Sequence, residues 1–579
     1  MSRLKLFVAY HKQAHLIKND YIVPIHVGRA LNSNKWLEEN MIGDNIGDNI
    51  SEKNNRYCEL TAQYYAWKNS EKFDNPDFIG LMHYRRFFNF SEHQYKENIY
   101  GQIEYPFFQD NFEALFGYNE ADILKLAEQF DVITVKPTYI GGEGNVFTHY
   151  KKYHYIKDYK VALKILLEKF PEFNKAVKEY NNSKYAYFTN SFIMSKDLFN
   201  KYSEWLFSIL FEADKFIKNY KDTFDNRVMG FIAERLFGVY ITYLKQKGLK
   251  IKELQQVIVQ ATDLKRYIPI VFSCNNNYTL PLCGAISTLK NNADNEDFFF
   301  VYIINTKKNL NYLNKKLISR MKGKNCIIQY KTIDNEIFKT LPIPACCSHI
   351  SEEAYYRLLL PELFPMFSKI IYLDCDILVL SSLYDLFNQL ISNNYFAGVE
   401  DVLAKESLQR LNISKYCNSG VLLVNLNKWR VDKVQNKFFD YININKDNLN
   451  WPDQDVLNVV LQSGIKYLDK TWNAQVGEYE CCYASGFNDI GKTAKIIHFI
   501  GVMKPWNYGN KSPFKHEYHG TIKHLGFEYK LIKYYPQIIT TFFDAFLKAL
   551  KQTRQNIIWY DKRNAQLVFL KKYKLGIQI

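Results

Sequence analysis

Short apolar runs of strand length alternate with helix-like segments along most of the chain, and this alternation constrains the fold more than any other feature. Strands and helices in alternation bury their apolar faces best as helices layered on a mainly parallel sheet, the α/β class. The first apolar run spans 4–9, another spans 78–82, and 131–135 follows a helix-like stretch at 120–130. A second beginning comes near residue 266. There the polar Asp263-Leu264-Lys265-Arg266 leads into the apolar run 267–273, then Asn275-Asn276-Asn277, a helix-like segment at 280–290 and a strand-like run at 298–304. Strand, polar turn, helix and strand form the opening unit of a nucleotide-binding sheet, whose ligands sit at the carboxyl ends of the strands.

With 579 residues the chain is too long for one core. The boundary is expected at 262–267, giving domains at 1–262 and 267–510, and no residue-level repeat relates the halves. The segment 511–579 changes character. From Lys515 onward twelve Lys or Arg stand against four Asp or Glu, interleaved with aromatic and aliphatic residues, which reads as a tail.

Hydrophobic residues at 47% and charged residues at 23% exclude a disordered chain. The net charge of +15 admits nucleic acid, an anionic membrane or a phosphorylated small substrate as partner. Zinc-finger spacing, aromatic RNA-binding motifs and sustained basic helices are missing from both domains, so no nucleic-acid partner is expected. The ten cysteines form no CxxC pair, which suits buried thiols in a reducing cytoplasm. The first ten residues lack the apolar core of a signal peptide, and no window reaches about 18 apolar residues. A cytoplasmic protein is therefore expected.

In the second half the apolar Ile370-Ile371-Tyr372-Leu373 runs into Asp374-Cys375-Asp376. Residues two apart on a strand share a face, so both carboxylates project together at the strand end. Paired hard oxygen ligands suit Mg²⁺ or Mn²⁺ bridging a nucleotide diphosphate. On spacing alone, an exposed turn with two solvated carboxylates is the plainer reading. Further blocks surround the pair: Ala354-Tyr355-Tyr356-Arg357-Leu358 before it, then the run Asn418-Ser419-Gly420-Val421-Leu422-Leu423-Val424-Asn425 and Trp429-Arg430. Next come Pro452-Asp453-Gln454-Asp455-Val456-Leu457-Asn458 and the stretch from His498-Phe499-Ile500-Gly501 to Lys504-Pro505-Trp506.

In these blocks the chain, over about 267–510, resembles glycosyltransferase family 8, which includes lipopolysaccharide galactosyl- and glucosyltransferases and glycogenin. The resemblance implies a GT-A fold, a UDP-sugar donor and retention of anomeric configuration. By position, Asp374, Asp376 and His498 are the implied metal ligands; an imidazole beside carboxylates favours Mn²⁺ over Mg²⁺. Lys504 is implied to neutralise the departing diphosphate. Asn275 and Asn277 are implied to hold uridine and ribose, although many members carry Asp where Asn275 stands. Arg357 is implied to contact the donor, its alternative being a cap or ion pair on a helix. Asn418 and Gly420 are implied to line the sugar pocket. Asp453 and Gln454 fall beside the anomeric centre, Asp453 binding sugar hydroxyls. An amide such as Gln454 is a poor nucleophile, so the implied reaction is same-face attack, with the leaving phosphate taking the acceptor's proton. Equally, Asp453-Gln454-Asp455 reads as the capped start of a helix.

The first half carries Val23-Pro24-Ile25-His26-Val27-Gly28, Gly47-Asp48-Asn49-Ile50-Ser51-Glu52-Lys53-Asn54, Tyr57-Cys58-Glu59-Leu60-Thr61 and Tyr65-Ala66-Trp67-Lys68-Asn69. Its most distinctive run is Gly80-Leu81-Met82-His83-Tyr84-Arg85-Arg86-Phe87-Phe88. These resemble the capsular-polysaccharide-associated domain of unknown function 4422, which implies a second GT-A-like transferase. Here a strand ends in basic residues where the other half has carboxylates. Cations can hold a diphosphate without a metal; the alternative is a salt-bridge patch. Strand periodicity puts His83 and Arg85 on one face, with Arg86 pairing elsewhere. Asp44 and Asp48 offer a cation site or ordinary turns. Asp225-Asn226-Arg227 echoes Asp453-Gln454-Asp455, and Glu234 is either an acceptor base or a surface residue.

The expectation is thus two tandem GT-A-like nucleotide-sugar transferase domains with a basic aromatic tail. The enzyme would extend a lipid-linked capsule or lipooligosaccharide acceptor while held on the anionic inner face of the cytoplasmic membrane. A rival expectation makes the N-terminal half a non-catalytic glycan-binding module.

Overall fold

The computed structural model describes residues 2–306, 309–333, 352–445, 448–477, 493–501, 504–507, 512 and 514–526. Val502 and Met503, cysteines 346, 347, 481 and 482, and positions 527–579 of the expected tail lie outside the described residues. The chain divides into two compact units, Met1–Leu264 and Lys265–Ile579.

In the first unit, the strands Ile42–Gly43, Ile22–His26, Leu4–Tyr10, Phe78–His83, Phe192–Ser195, Val132–Val135 and Ile251–Leu254 neighbour one another in that order. The first four run parallel, Phe192–Ser195 runs antiparallel to both its neighbours, and the last pair is parallel. In the second unit the order is Cys326–Ile333, Asp297–Thr306, Arg266–Ser273, Lys369–Leu373, Cys417–Asn425, Phe396–Glu400 and Ile465–Tyr467. Again four strands are parallel, the fifth in line is antiparallel to both neighbours, and the last pair is parallel. Numbered along the chain, both sheets read 3-2-1-4-6-5-7. The halves share a topology that no residue-level repeat discloses.

The likeness extends past the main sheets. In each unit the chain leaves the fourth strand, turns, and forms a short strand antiparallel to the last strand of the unit: Arg86–Phe88 on Gln256–Ala261, and Ile377–Val379 on Ile496–Phe499. The segment that turns is His83-Tyr84-Arg85 in one unit and Asp374-Cys375-Asp376 in the other.

Apolar burial fixes these frames. All nine residues of Cys417–Asn425 are buried, as befits a central strand covered on both faces. The core of the second unit gathers Ile270, Phe272, Val301, Ile371 and Leu423 with Leu282 and Ile286 of the helix Thr279–Asn291. In the first unit the helices Lys196–Asp214 and Val228–Gln246 supply Leu206, Leu210, Ile232 and Leu236 to a core rich in Tyr and Phe. The helix Lys515–His524 buries Tyr518 and Ile522 against Leu378, Val476, Ile497 and Phe499. Residues 515–524 therefore belong to the packed second unit, where the sequence suggested the start of a tail. Among the described residues, no helix is long and apolar enough to cross a membrane.

Candidate active sites

In the second unit the strand Lys369–Leu373 delivers Asp374 to the carboxyl end of the sheet, where its N–H donates to the Gly420 carbonyl at 2.8 Å. Asp374, Asp376 and His498 each offer a ligand atom, all within 4.8 Å of one another. His498 lies inside the strand Ile496–Phe499, opposite Ile377. Its Nδ1 faces Asn473 Oδ1 at 3.1 Å. The Asn473 amide nitrogen donates to Asn418 Oδ1 at 2.9 Å, which leaves Asn473 Oδ1 facing the His498 ring. Its Nε2 faces both carboxylates, at 3.8 Å from Asp374 and 3.5 Å from Asp376. Glycine is required behind this group: a Cβ at Gly420 would fall into the His498 ring and lie 2.8 Å from Asp374 Oδ2. Two hard oxygens and one imidazole nitrogen, its ring held from behind by the Asn473 amide, form a donor set that fits Mn²⁺ or Mg²⁺.

The cations at this site are spent on its carboxylates. Lys504 Nζ lies 2.6 Å from Asp376 Oδ2. Burial works to raise the Asp376 pKa, but Lys504 and His498 prevail and hold it below the usual carboxylate range. Arg357, 5% exposed, donates to Asp374 at 2.9 Å and lies 3.1 Å from Asp453. Its remaining nitrogen bonds the Ser419 carbonyl, and its plane covers the Tyr372 ring. Arg357 thus bridges Asp374 and Asp453 while it lines the cavity described below.

Asp453 and Gln454 lie in the first turn of the helix Pro452–Val460. Asp453 also accepts from Ser419 Oγ at 2.9 Å, and burial pushes its carboxyl up against the pull of Arg357. Gln454 accepts from the Ser419 N–H and donates to Asp401. Asn418 donates to the same Asp401 oxygen at 2.9 Å. Asp401, just past the strand Phe396–Glu400, ties the Asn418 and Gln454 side chains together, and sequence reasoning missed it. Its only signal was an acidic pair ending an apolar run; Asn473, in a short turn, gave none. Asp455 is structural, held by Arg410 and Tyr416.

Asn275 caps the turn Asn276–Tyr278, accepting from the Asn277 and Tyr278 N–H groups. It lines a cavity of about 350 Å³ with Arg357, Asp374, Asp376, Asn418, Asp453, Gln454, His498 and Lys504. Asn277 is exposed and outside that lining, because the capped turn directs it away.

The first unit holds a larger cavity, about 1180 Å³, at the corresponding end of its own sheet. His83 and Arg86 pair across a tight antiparallel turn whose tip is Tyr84-Arg85. The alternation of an extended strand therefore stops at His83. Arg86 sits beside His83, while Arg85 is exposed at the tip and still lines the cavity. Arg227 and Arg235 line it as well. Arg235 is 1% exposed and stacks on Phe188. Among the described residues, buried nitrogens here lack partners: the N–H groups Arg86 Nε and Arg235 Nε, and the ring nitrogens His83 Nδ1 and His149 Nδ1. Burial first, and then Arg86, drives the His83 pKa far down. Such a surplus of cationic and N–H donors calls for an anion.

Asp44 is not part of this cavity. It is buried and accepts from the Gly28 and Arg29 N–H groups and from Ser51 Oγ, while Asp48 accepts from Tyr64. Both are turn-forming residues.

Comparison with known proteins matches residues 5–247 to the domain of unknown function DUF4422 and residues 269–510 to glycosyl transferase family 8. General stress protein A of Bacillus subtilis is 30% identical over 264 residues, which is 43% of this chain and 91% of that protein. A lipopolysaccharide 1,2-glucosyltransferase of Escherichia coli is 29% identical over 281 residues, 44% of this chain and 79% of the relative. Among solved structures, the apo form of the WbbM bifunctional glycosyltransferase aligns with 90% of this chain and 97% of its own, at 31% identity and a TM-score of 0.42. The chain belongs to glycosyl transferase family 8 through its C-terminal half and carries the domain DUF4422 in its N-terminal half.

Proposed function

We propose that the C-terminal unit is a GT-A glycosyltransferase that moves a hexose, galactose or glucose, from a UDP-sugar to a capsule or lipooligosaccharide acceptor with retention. The observation that carries this reading is the convergence of Asp374, Asp376 and His498 over Gly420 at the carboxyl end of the sheet. These three would hold Mn²⁺ or Mg²⁺, which when bound supplies Lewis-acid stabilisation of the diphosphate. Lys504 would exchange Asp376 for the diphosphate as charge builds on the leaving group. Asn275 would meet the nucleoside, and Asn418 and Asp453 the sugar hydroxyls. Gln454, bound at both ends of its amide, has no nucleophilic oxygen to offer. Same-face attack, with the leaving phosphate accepting the acceptor's proton, needs none.

The N-terminal unit is read as a second transferase that holds its nucleotide-sugar diphosphate on cations at the turn His83-Tyr84-Arg85-Arg86, without a divalent ion. Its support is the set of unpartnered buried nitrogens facing that cavity. The basic aromatic segment after residue 526 would hold the enzyme on anionic lipid, each basic residue contributing roughly 1 kcal/mol. Truncation after Gly526 should release the protein from anionic vesicles; unchanged, salt-insensitive binding would contradict this. Calorimetry of the full chain with UDP-sugars tests the metal site: Asp374→Ala should abolish the Mn²⁺-dependent binding, and a fully Mn²⁺-independent C-terminal activity would refute the assignment.

A further inference from the structure

Three carboxylates face the cavity of the N-terminal unit: Glu59, Glu143 and Glu234. Glu59 accepts from the Asn190 amide at 2.9 Å. Glu143 accepts from the Tyr153 hydroxyl at 2.8 Å and lies 3.3 Å from Lys152. Glu234 differs from both. It projects from the helix Val228–Gln246, its Oε2 lies 3.3 Å from Arg235 Nη1, and no described residue donates a hydrogen bond to its Oε1. The side chain is only 14% exposed, so the cavity itself is the outlet for that oxygen.

Among the described residues, the matching helix of the C-terminal unit presents no such carboxylate, and the unpartnered carboxylate oxygen beside that cavity belongs instead to Glu353 Oε2, ahead of the strand Lys369–Leu373. The helix that joins its sixth and seventh strands presents Asp453, already tied to Ser419 and Arg357, and the amide Gln454. In the N-terminal unit, the helix between the same two strands begins at Asp225-Asn226-Arg227. There Asp225 stays outside the cavity lining, and the helix presents Glu234 further along. At this helix the C-terminal unit binds its carboxylates into the frame, and the N-terminal unit leaves one oxygen of Glu234 open beside cations.

We propose that Glu234 is the proton acceptor of the N-terminal unit, activating the acceptor hydroxyl for direct displacement. This rests on the reading of that unit as a nucleotide-sugar transferase. Glu234 takes the hydroxyl proton, and the freed oxygen pair forms the new bond to the anomeric carbon. On the opposite face, the bond from that carbon to the phosphate oxygen breaks, and its electron pair leaves with the nucleoside diphosphate. The proton passes from Glu234 to solvent. Attack opposite the leaving group inverts the anomeric centre. Burial raises the Glu234 pKa against the pull of Arg235 and Arg86, the direction that makes a carboxylate a stronger base.

The test uses the full chain carrying Asp376→Ala, so that turnover comes from the N-terminal unit. UDP-, GDP- and dTDP-hexoses serve as donors and octyl β-galactoside and octyl β-glucoside as acceptors, with nucleotide release, product anomer and calorimetric binding read together. Adding Glu234→Gln should cut turnover by about 10²- to 10⁴-fold, the usual worth of a general base. Donor affinity should stay within about threefold, as follows if the base acts only on the acceptor proton. Glu234→Asp should recover part of the rate, and the acid limb of the pH profile should vanish in Glu234→Gln. Turnover within tenfold of the parent, a retained anomer, or donor binding lost together with turnover would each overturn the assignment to Glu234 alone. A parent that binds no nucleotide sugar would instead overturn the transferase reading, and this proposal with it.

Discussion

Gly420 and Arg357 carry the geometry of the C-terminal site, and neither touches it as a ligand. A Cβ at Gly420 meets the His498 ring and Asp374 at once, so Gly420→Ala should displace the imidazole. A shift of that size costs about 10²-fold in rate where reacting groups must align. Mn²⁺ affinity should fall in parallel, measured by calorimetry, and an unchanged affinity would mean the pocket relaxes elsewhere. Arg357 sits between two carboxylates inside the protein. Removing one member of a buried ion cluster costs about 3–5 kcal/mol, because the partners keep their charge without compensation. Arg357→Met should therefore lower the stability of the C-terminal unit by that amount in urea unfolding. A variant that loses donor affinity at full stability would return Arg357 to the donor-contact role. The apolar run located the carboxylate pair at a strand end, and the family resemblance pointed to His498 and Lys504. Neither could tell that Arg357 bridges two carboxylates, since an ion pair depends on which distant segments the sheet brings together.

The turn His83-Tyr84-Arg85-Arg86 shows where sequence periodicity stops being a guide. The strand was legible in its apolar run, but a two-residue turn resets the alternation and sets Arg86, not Arg85, beside His83. Arg86→Gln should consequently weaken nucleotide binding to the N-terminal unit at least as much as Arg85→Gln, read by calorimetry in EDTA; the opposite ranking would favour the turn tip. Helix Lys515–His524 gives the complementary lesson. Its basic composition suggested a tail, yet Tyr518 and Ile522 are buried, and two apolar residues one turn apart suffice to dock a short helix. Ile522→Ala should cost about 2–5 kcal/mol, the range for emptying such a site. A value near zero in denaturant melts would restore these residues to the tail.

At the scale of the whole chain, two units share one strand order and carry opposite charge chemistry at the same turn. That duplication was invisible in the sequence because a sheet order is set by burial pattern, which many residues satisfy, while the turn residues diverged. The contrast has a pH consequence. In the N-terminal unit, burial lowers the pKa values of His11, His15, His83, His149 and His154, the last to about 4. Each folded value lies below the ordinary 6.5, so the unfolded chain binds protons first. Stability from these groups is full above about 6.5 and is lost as pH falls toward the folded values. Hydrogen exchange at pH 7.5 and 5 should show faster global opening of 1–264 at the lower pH, and equal rates would contradict it.

The central claim is that one turn recruits a divalent cation and its counterpart does without one. Transfer by the full chain from UDP-hexoses to octyl glycosides, resolved by mass spectrometry and linkage analysis, tests it directly. Two linkages should form; EDTA and Asp376→Ala should each remove the same one and leave the other within about twofold. Loss of both linkages in EDTA, or survival of both in Asp376→Ala, would contradict the account.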